Sequence, residues 1–191
     1  MDKLKKMIVE RGEIKEGNVL KVDSFLNHQL DVEFLYEMGK EIYNLFKDRE
    51  ITKILTIEVS GIAIASMAAL YFKVPVVFAK KTESLNLDDD IYKGKVISYT
   101  KHKEYNIMIS KKYLNEKDKL LIIDDFLAEG NAMKCLIDLA HESGATVEGI
   151  GIAIEKGFQN GGNYLRSKGY NLKSLAIIEE MTDGKINFKE D

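Results

Sequence analysis

A single cysteine, Cys135, among 191 residues cannot form an intramolecular disulfide and offers no metal framework. That excludes a disulfide-stapled secreted protein and makes a reducing cytoplasm the expected setting. One proline and scattered glycines leave no flexible linker, and no repeat or low-complexity tract interrupts the chain. Nowhere does an apolar run approach the roughly 20 residues of a membrane span. The opening Met1-Asp2-Lys3-Leu4-Lys5-Lys6 is charged and continues without an apolar signal core. Charge of one sign is also scarce: 28 basic and 31 acidic residues leave a net charge of −3, which argues against a general electrostatic grip on nucleic acid. The 45% hydrophobic and 31% charged residues that are present suit a soluble globule. The length suits one domain that buries about 70% of its unfolded surface.

Periodicity then orders the chain. Leu4, Met7, Ile8 and Arg11 fall at helical spacing, with Gly12 as the stop. Residues 19–30 read as short extended or irregular structure. Asp31 has the chemistry of an N-cap, and Phe34, Leu35, Met38, Ile42, Leu45 and Phe46 share a helical face behind it. Ile54-Leu55-Thr56-Ile57, then Glu58-Val59-Ser60-Gly61, then an alanine-rich segment to Tyr71 spell strand, turn, helix. Val74 to Ala79 supplies another short buried strand. Leu120-Leu121-Ile122-Ile123 is the strongest strand and ends in Asp124-Asp125. A helix over 131–142 and a strand over 147–154 follow. Short apolar runs alternating with helices predict an α/β fold whose mostly parallel sheet is covered on both faces. Leu172 to Ile178 and Ile186 to Phe188 add strands at an edge or in a small cap.

Between 80 and 110 the alternation breaks down. This stretch carries Lys80, Lys81, Lys93, Lys95, Lys101 and Lys103, with tyrosines at 92, 99 and 105. It reads as a β-hairpin or long arm. Two roles stand open: a solvated hairpin, or a lid that brings cations to an anionic ligand.

Ligands of an open parallel sheet sit outside the carboxyl ends of its strands, at the switch point. The run Ile122-Ile123-Asp124-Asp125-Phe126-Leu127-Ala128-Glu129-Gly130-Asn131-Ala132 carries its polar residues there. Adjacent carboxylates cost stability unless a polar or cationic partner is near, and a sugar diol can donate hydrogen bonds to them. Ala128, Gly130 and Ala132 are small enough for backbone N–H groups to approach a phosphate at the next helix N-terminus. The competing reading is a plain strand–turn–helix junction whose acids cap the helix.

This run resembles the phosphoribosyl-pyrophosphate motif of the type I phosphoribosyltransferases. The likeness extends over nearly the whole chain and is close to the bacterial xanthine phosphoribosyltransferases. Leu20-Lys21-Val22-Asp23-Ser24-Phe25-Leu26-Asn27-His28-Gln29 matches their N-terminal base-binding stretch, and Ile154-Glu155-Lys156-Gly157-Phe158 matches a second base-binding segment. The resemblance implies a parallel sheet flanked by helices, with a small base-binding cap from about 1–31 and 156–191. It also implies a core over about 32–155 and a mobile β-arm over about 80–110, all in one domain spanning 1–191. The implied reaction is transfer of phosphoribose from phosphoribosyl pyrophosphate to xanthine, in purine salvage. Mg²⁺ would ride on the diphosphate, with no direct protein ligand. Carried over by position, Asp124 and Asp125 are the catalytic residues and face the ribose hydroxyls. Ala128, Glu129, Gly130, Asn131 and Ala132 cradle the 5′-phosphate, and Ser60 and Gly61 belong to the pyrophosphate-side loop. Glu129, Asn131 and Ala132 depart from the threonine and glycine common in the wider superfamily, leaving backbone donors and the Asn131 amide. Glu129 is expected to point away from the phosphate. A homodimer is implied by the resemblance alone.

Chemistry narrows the base. Lys156 has donors and no acceptor, so it can serve a purine oxygen but cannot accept from the adenine amine. Asn27 can serve a second carbonyl or, flipped, a guanine amine. Leu20 and Phe158 can contact the purine face or edge, or simply fill core; Lys156 can equally be a solvated strand-end lysine. Guanine stays open on pocket logic, and so does a phosphoribosyl-pyrophosphate-sensing regulator without transferase activity. His28, His102 and His141 lack metal-ligand spacing, the Gly-x-Ser-x-Gly elbow is absent around Ser60, and Gly149-Ile150-Gly151 opens no helix. Cys135 is expected to pack.

Overall fold

A computed structural model describes residues 1–81, 90–98, 103–182 and 184–190. Helix α1 (Asp2–Arg11) leads into a small hairpin of β1 (Glu13–Lys15) and β2 (Val19–Lys21), then a π-helical turn over Asp23–Asn27. Helix α2 (Val32–Phe46), strand β3 (Lys53–Ile57), helix α3 (Ser60–Phe72) and strand β4 (Val76–Ala79) follow. Strands β5 (Ile91–Ser98) and β6 (Lys103–Ser110) form a second hairpin. The chain closes with β7 (Lys119–Leu127), α4 (Asn131–Glu142), β8 (Thr146–Lys156), α5 (Asn160–Ser167), β9 (Leu172–Thr182) and β10 (Lys185–Phe188). The central sheet has the order β10-β9-β8-β7-β3-β4. Its neighbours are parallel except β9 and β10, which are antiparallel. From the pair β3–β7 the chain builds outward both ways, to β4 on one side and to β8 and β9 on the other. The cleft above that pair is the topological switch point.

Alternation along the strands explains why both faces are covered. On β7, Leu121 and Ile123 enter the cluster with α1, α2 and α3, while Leu120 and Ile122 enter the cluster with α4 and the β5–β6 hairpin. Asp31 caps α2 as expected, its Oδ1 accepting from the Phe34 N–H at 3.2 Å. Phe34, Leu35, Met38, Ile42 and Phe46 are buried, but Leu45 is 42% exposed. The buried row advances by i+4 steps, which drift about 40° around the helix per turn, and by the last turn Leu45 has rotated off it. Phe46 lies over the sheet where a Cβ at Gly149 would come within 2.4 Å of its ring; that glycine serves helix–sheet contact. The strand expected to be buried at 74–79 is an edge strand, with Val76 and Val77 half-buried and Phe78 exposed. The segments after 172 join the main sheet. Among the described residues, no helix is long and apolar enough to cross a membrane.

The stretch that broke the alternation forms the β5–β6 hairpin, paired from Ile91↔Ser110 to Ser98↔Lys103. Residues 82–89 and 99–102, with Tyr99, Lys101 and His102, lie outside the described residues. The hairpin is solvated on one face only. Val96, Ile107 and Ile109 are buried against α4, and Lys95 and Glu104 pair on the exposed side at 2.8 Å. Gly94 makes this docking close: a Cβ there would stand 2.3 Å from Cys135 Sγ. Burial pushes the Cys135 thiol up to about 11, consistent with a packing role. Gly94→Ala is therefore expected to destabilise the protein by about 1–3 kcal/mol. Adding Cys135→Ala should recover most of that, because the two sites share one space. Chemical denaturation of the parent, both singles and the double variant checks the coupling; additive effects would contradict it.

Candidate active site

At the carboxyl end of β7 the strand's alternation turns from hydrocarbon to acid. Asp124 is 7% exposed and Asp125 half-buried, and Asp124 Oδ1 accepts from the Asp125 N–H at 3.0 Å. Burial raises the Asp124 carboxyl well above the ordinary value of 3.8, and the Asp125 charge adds to the rise; the Lys81 ammonium opposes it without cancelling it. Beneath the pair, Gly61 in the first turn of α3 packs so closely that a Cβ would meet Thr56 Oγ1 at 2.3 Å and Asp124 Oδ1 at 3.0 Å. The Thr56 hydroxyl is buried and has no hydrogen-bond partner among the described residues.

Past the acids, Ala128 and Glu129 lead to Gly130, whose φ of +79° is the left-handed conformation that glycine adopts without strain. Helix α4 starts immediately afterwards with no side-chain cap at Gly130. Its first-turn N–H groups carry the positive end of the helix dipole. The Lys134 ammonium bonds the Glu129 carbonyl at 3.3 Å and lies 4.2 Å from the Tyr164 ring centroid, bracing the loop from outside. The Glu129 residue itself is exposed. From the other side, the Gly161 N–H donates to the Ala128 carbonyl at 3.0 Å. A loop ending in an uncapped helix start is an anion-binding geometry.

One cavity of about 620 Å³ gathers these parts. Leu20, Asn27, Ser60, Asp124, Asp125, Lys156 and the whole of 128–132 line it. Two sequence candidates do not: Gly61 is buried below the floor, and Phe158 is 38% exposed outside the lining. At the far end, Lys156 leaves β8 beside a fixed support. Arg166 donates to both oxygens of buried Glu155, at 2.6 and 2.7 Å, and the Ser174 hydroxyl donates to one of them. Burial favours protonation of Glu155, but these hydrogen bonds outweigh it and hold the carboxyl below its ordinary value. The Lys156 ammonium donates to the Asn18 carbonyl at 2.9 Å, and burial lowers its pKa. Asn27 Oδ1 is buried and has no donor among the described residues.

The sequence reading passed over several lining residues. Lys81 and Tyr105 stood out only as members of a lysine- and tyrosine-rich arm. The Lys81 N–H bonds the Glu58 carboxylate, and its ammonium lies 5.4 Å from the Tyr105 ring centroid. Burial, then the Asp124 charge, raises the Tyr105 phenol. Glu58, whose peptide to Val59 is cis, is legible in sequence only as part of the loop that ends in Ser60 and Gly61. Gln159 carried no signal at all, being one amide in a turn. Among the described residues, no group of three or more His, Cys, Asp or Glu is placed to hold a metal ion.

A parallel sheet with a ligand cleft at its switch point, an acidic strand end and an uncapped phosphate-type loop is the plan of a phosphoribosyltransferase, and the chain belongs to that family: the phosphoribosyl transferase domain matches residues 22–160. Nearer relatives are xanthine phosphoribosyltransferases. The chain is 57% identical over 189 residues to that of Clostridium novyi (strain NT), covering 99% of this chain and all of the other. It is 58% identical over 192 residues to that of Bifidobacterium adolescentis, again covering 99% and 100%. The fold is shared with adenine phosphoribosyltransferases of known structure. That from Giardia lamblia complexed with 9-deazaadenine superposes with TM-score 0.77 at 23% identity, covering 93% of this chain and 98% of that one. That from Thermoanaerobacter pseudethanolicus gives 0.75 at 20% identity, covering 92% and 98%.

Because the folded state raises the Asp124 pKa, this group's stabilising contribution is full below the ordinary value and is lost as pH rises through the raised one. Above that point its ionised form works against folding. Asp124→Asn is expected to leave thermal stability unchanged near pH 4 and to raise the midpoint at pH 7–8, by about 2–4 °C per kcal/mol gained in a chain of this size. Thermal scans across pH measure the difference; one that stays flat with pH would contradict the assignment.

Proposed function

We propose that this protein transfers the 5-phosphoribosyl group from phosphoribosyl pyrophosphate to N9 of xanthine, releasing xanthosine 5′-monophosphate and pyrophosphate, in purine salvage. The observation that carries the proposal is the single cavity in which the Asp124–Asp125 pair and the uncapped start of α4 share space with Lys156 and Asn27. The full-length identity to xanthine phosphoribosyltransferases supports the choice of base.

In this reading, residues 128–132 receive the 5′-phosphate on the N–H groups of the loop and first helical turn. Asp124 and Asp125 accept hydrogen bonds from the ribose 2′- and 3′-hydroxyls. As the bond from C1′ to pyrophosphate breaks, positive charge grows on the ribose, and the two acids, one of them buried, oppose it with their negative charge. Ser60 and the neighbouring loop face the leaving pyrophosphate, with Lys81 a cation of the same cavity lining. Among the described residues, the lining carries Glu58, Asp124, Asp125 and Glu129 against Lys81 and Lys156, so a diphosphate there calls for extra positive charge. Mg²⁺ held mainly by the substrate's own oxygens suits this donor set, since it is commonly bound through substrate phosphates and one or two carboxylates; when bound it neutralises charge on the departing pyrophosphate. Lys156 donates to the 6-oxygen of the base and Asn27 serves its 2-oxygen side, with Leu20 against the ring. No protein nucleophile is needed; positioning and electrostatics supply the rate. A homodimer acting in the cytoplasm belongs to the same proposal.

Incubating the protein with Mg²⁺, labelled phosphoribosyl pyrophosphate and xanthine, guanine or hypoxanthine in parallel should yield xanthosine monophosphate fastest. Absence of any nucleotide at micromolar protein would favour a sensor instead. Lys156→Ala should raise the xanthine KM by about 10–100-fold with the phosphoribosyl pyrophosphate KM within twofold; unaltered xanthine kinetics would remove Lys156 from the pocket. Sedimentation should return a dimer mass, and a concentration-independent monomer would overturn that part.

A further inference from the structure

Strands β3 and β7 pair as far as Leu55 and Ile122, and Thr56 follows on β3 where that ladder ends. Its neighbours Ile54, Leu55 and Ile57 are buried hydrocarbon, and Thr56 is fully buried among them. Its hydroxyl has no hydrogen-bond partner among the described residues. A buried hydroxyl in that state costs free energy that a valine of the same shape would not. The hydroxyl lies close to the acidic pair. A Cβ at Gly61 would meet Thr56 Oγ1 at 2.3 Å and Asp124 Oδ1 at 3.0 Å, so the two oxygens border one small space that glycine leaves open. Asp124 Oδ1 already accepts the Asp125 N–H, which uses one of its two lone pairs. The charged and titratable groups that act on Asp124 are Asp125, the Lys81 ammonium and the Tyr105 phenol.

Resting on the function proposed above, we propose that Thr56 is a positioning residue whose hydroxyl donates to Asp124 Oδ1 when that acid binds the ribose diol. An ionised carboxylate has about four acceptor positions on its two oxygens. The sugar hydroxyls reach Asp124 from the cavity and the Asp125 N–H reaches it along the strand, which leaves the side facing Gly61 and Thr56 for a donor from within the protein. In the empty site, burial and the Asp125 charge both oppose ionisation of Asp124, and the hydroxyl has no strong acceptor to find. A bound diol favours the ionised form, and an ionised oxygen draws the hydroxyl proton into a charge-assisted bond. Rotation of the carboxylate closes the gap. No proton changes hands; the bond orients the acid and stabilises its charge. This accounts together for a polar residue in the hydrocarbon run of β3, for the glycine beside it, and for a hydroxyl that stays unpartnered until the sugar arrives.

The test uses Thr56→Val, which keeps the shape and loses the hydroxyl, and Thr56→Ser, which keeps the hydroxyl. Calorimetry measures dissociation constants for xanthosine 5′-monophosphate and for its 2′,3′-dideoxy analogue, which lacks the diol. Thermal scans without ligand measure stability. Thr56→Val should weaken the monophosphate on the order of tenfold and leave the analogue within about twofold of the parent. The phosphoribosyl pyrophosphate KM should rise by a similar factor, with the xanthine KM unchanged. The midpoint of the empty protein should hold or rise, because an unpartnered hydroxyl has been removed. Thr56→Ser should retain the parent's preference for the diol. Equal losses for both nucleotides would mark a structural residue and overturn the assignment, as would no loss for either or a serine variant that behaves like valine. A lowered midpoint in the empty valine variant would show that the hydroxyl is partnered before the sugar binds, and would overturn it too. A parent protein that makes no xanthosine monophosphate overturns the underlying reading of function, and that result is visible before any variant is compared.

Discussion

The carboxylate of Asp124 is buried at the one place in the sheet where the hydrophobic pattern of β7 ends, and the site is arranged around that cost. Desolvation and the neighbouring Asp125 both oppose its ionisation. Its oxygen is satisfied locally by the Asp125 N–H, and the Lys81 ammonium partly offsets the cost of its charge. Gly61 is required beneath it because any side chain there would displace either the acid or Thr56. A group held so expensively persists when its ionised form is wanted by a ligand.

The other end of the cavity follows an opposite logic. Glu155 is as buried as Asp124, yet Arg166 and Ser174 hold it ionised. A bidentate pair of this kind specifies geometry, and here it fixes the strand end from which Lys156 emerges and the turn that carries Gln159. One buried acid thus keeps a raised pKa despite its local hydrogen bond, and the other is held ionised by a bidentate partner. The first is exposed to chemistry, and the second holds the framework that presents it. The contact from Gly161 to Ala128 ties the two ends, so the proposed base and phosphate regions are set at a fixed spacing by backbone rather than by long side chains.

How far the sequence reaches can be seen residue by residue. The β7 run, the acidic pair and the small residues of 128–132 lie consecutively in the chain, so their relation to one another is local and legible. Asp31 as a cap and the face of α2 are legible for the same reason. Leu45 was misplaced because spacing alone does not show how a buried row drifts around a helix. The strand expected over 74–79 reads as buried because its composition matches a central strand, while the edge position of β4 depends on the sheet order. Gly61 and Phe158 carry the family's motif positions but do not line the cavity, since a motif records neighbours in sequence and not direction in space.

By itself the chain's order of residues determined the alternation of strands and helices, hence a parallel sheet with covered faces, and the clustering of acids and small residues at one strand end. Those features arise from period, burial preference and backbone sterics, all set within a few residues. Only the tertiary structure decided which other distant side chains complete the cavity: Lys81 from the segment after β4, Tyr105 from the β5–β6 hairpin, and Gln159, whose amide oxygen has no partner among the described residues. Their roles depend on distances between residues tens of positions apart, which packing of the two core faces sets and no local pattern encodes.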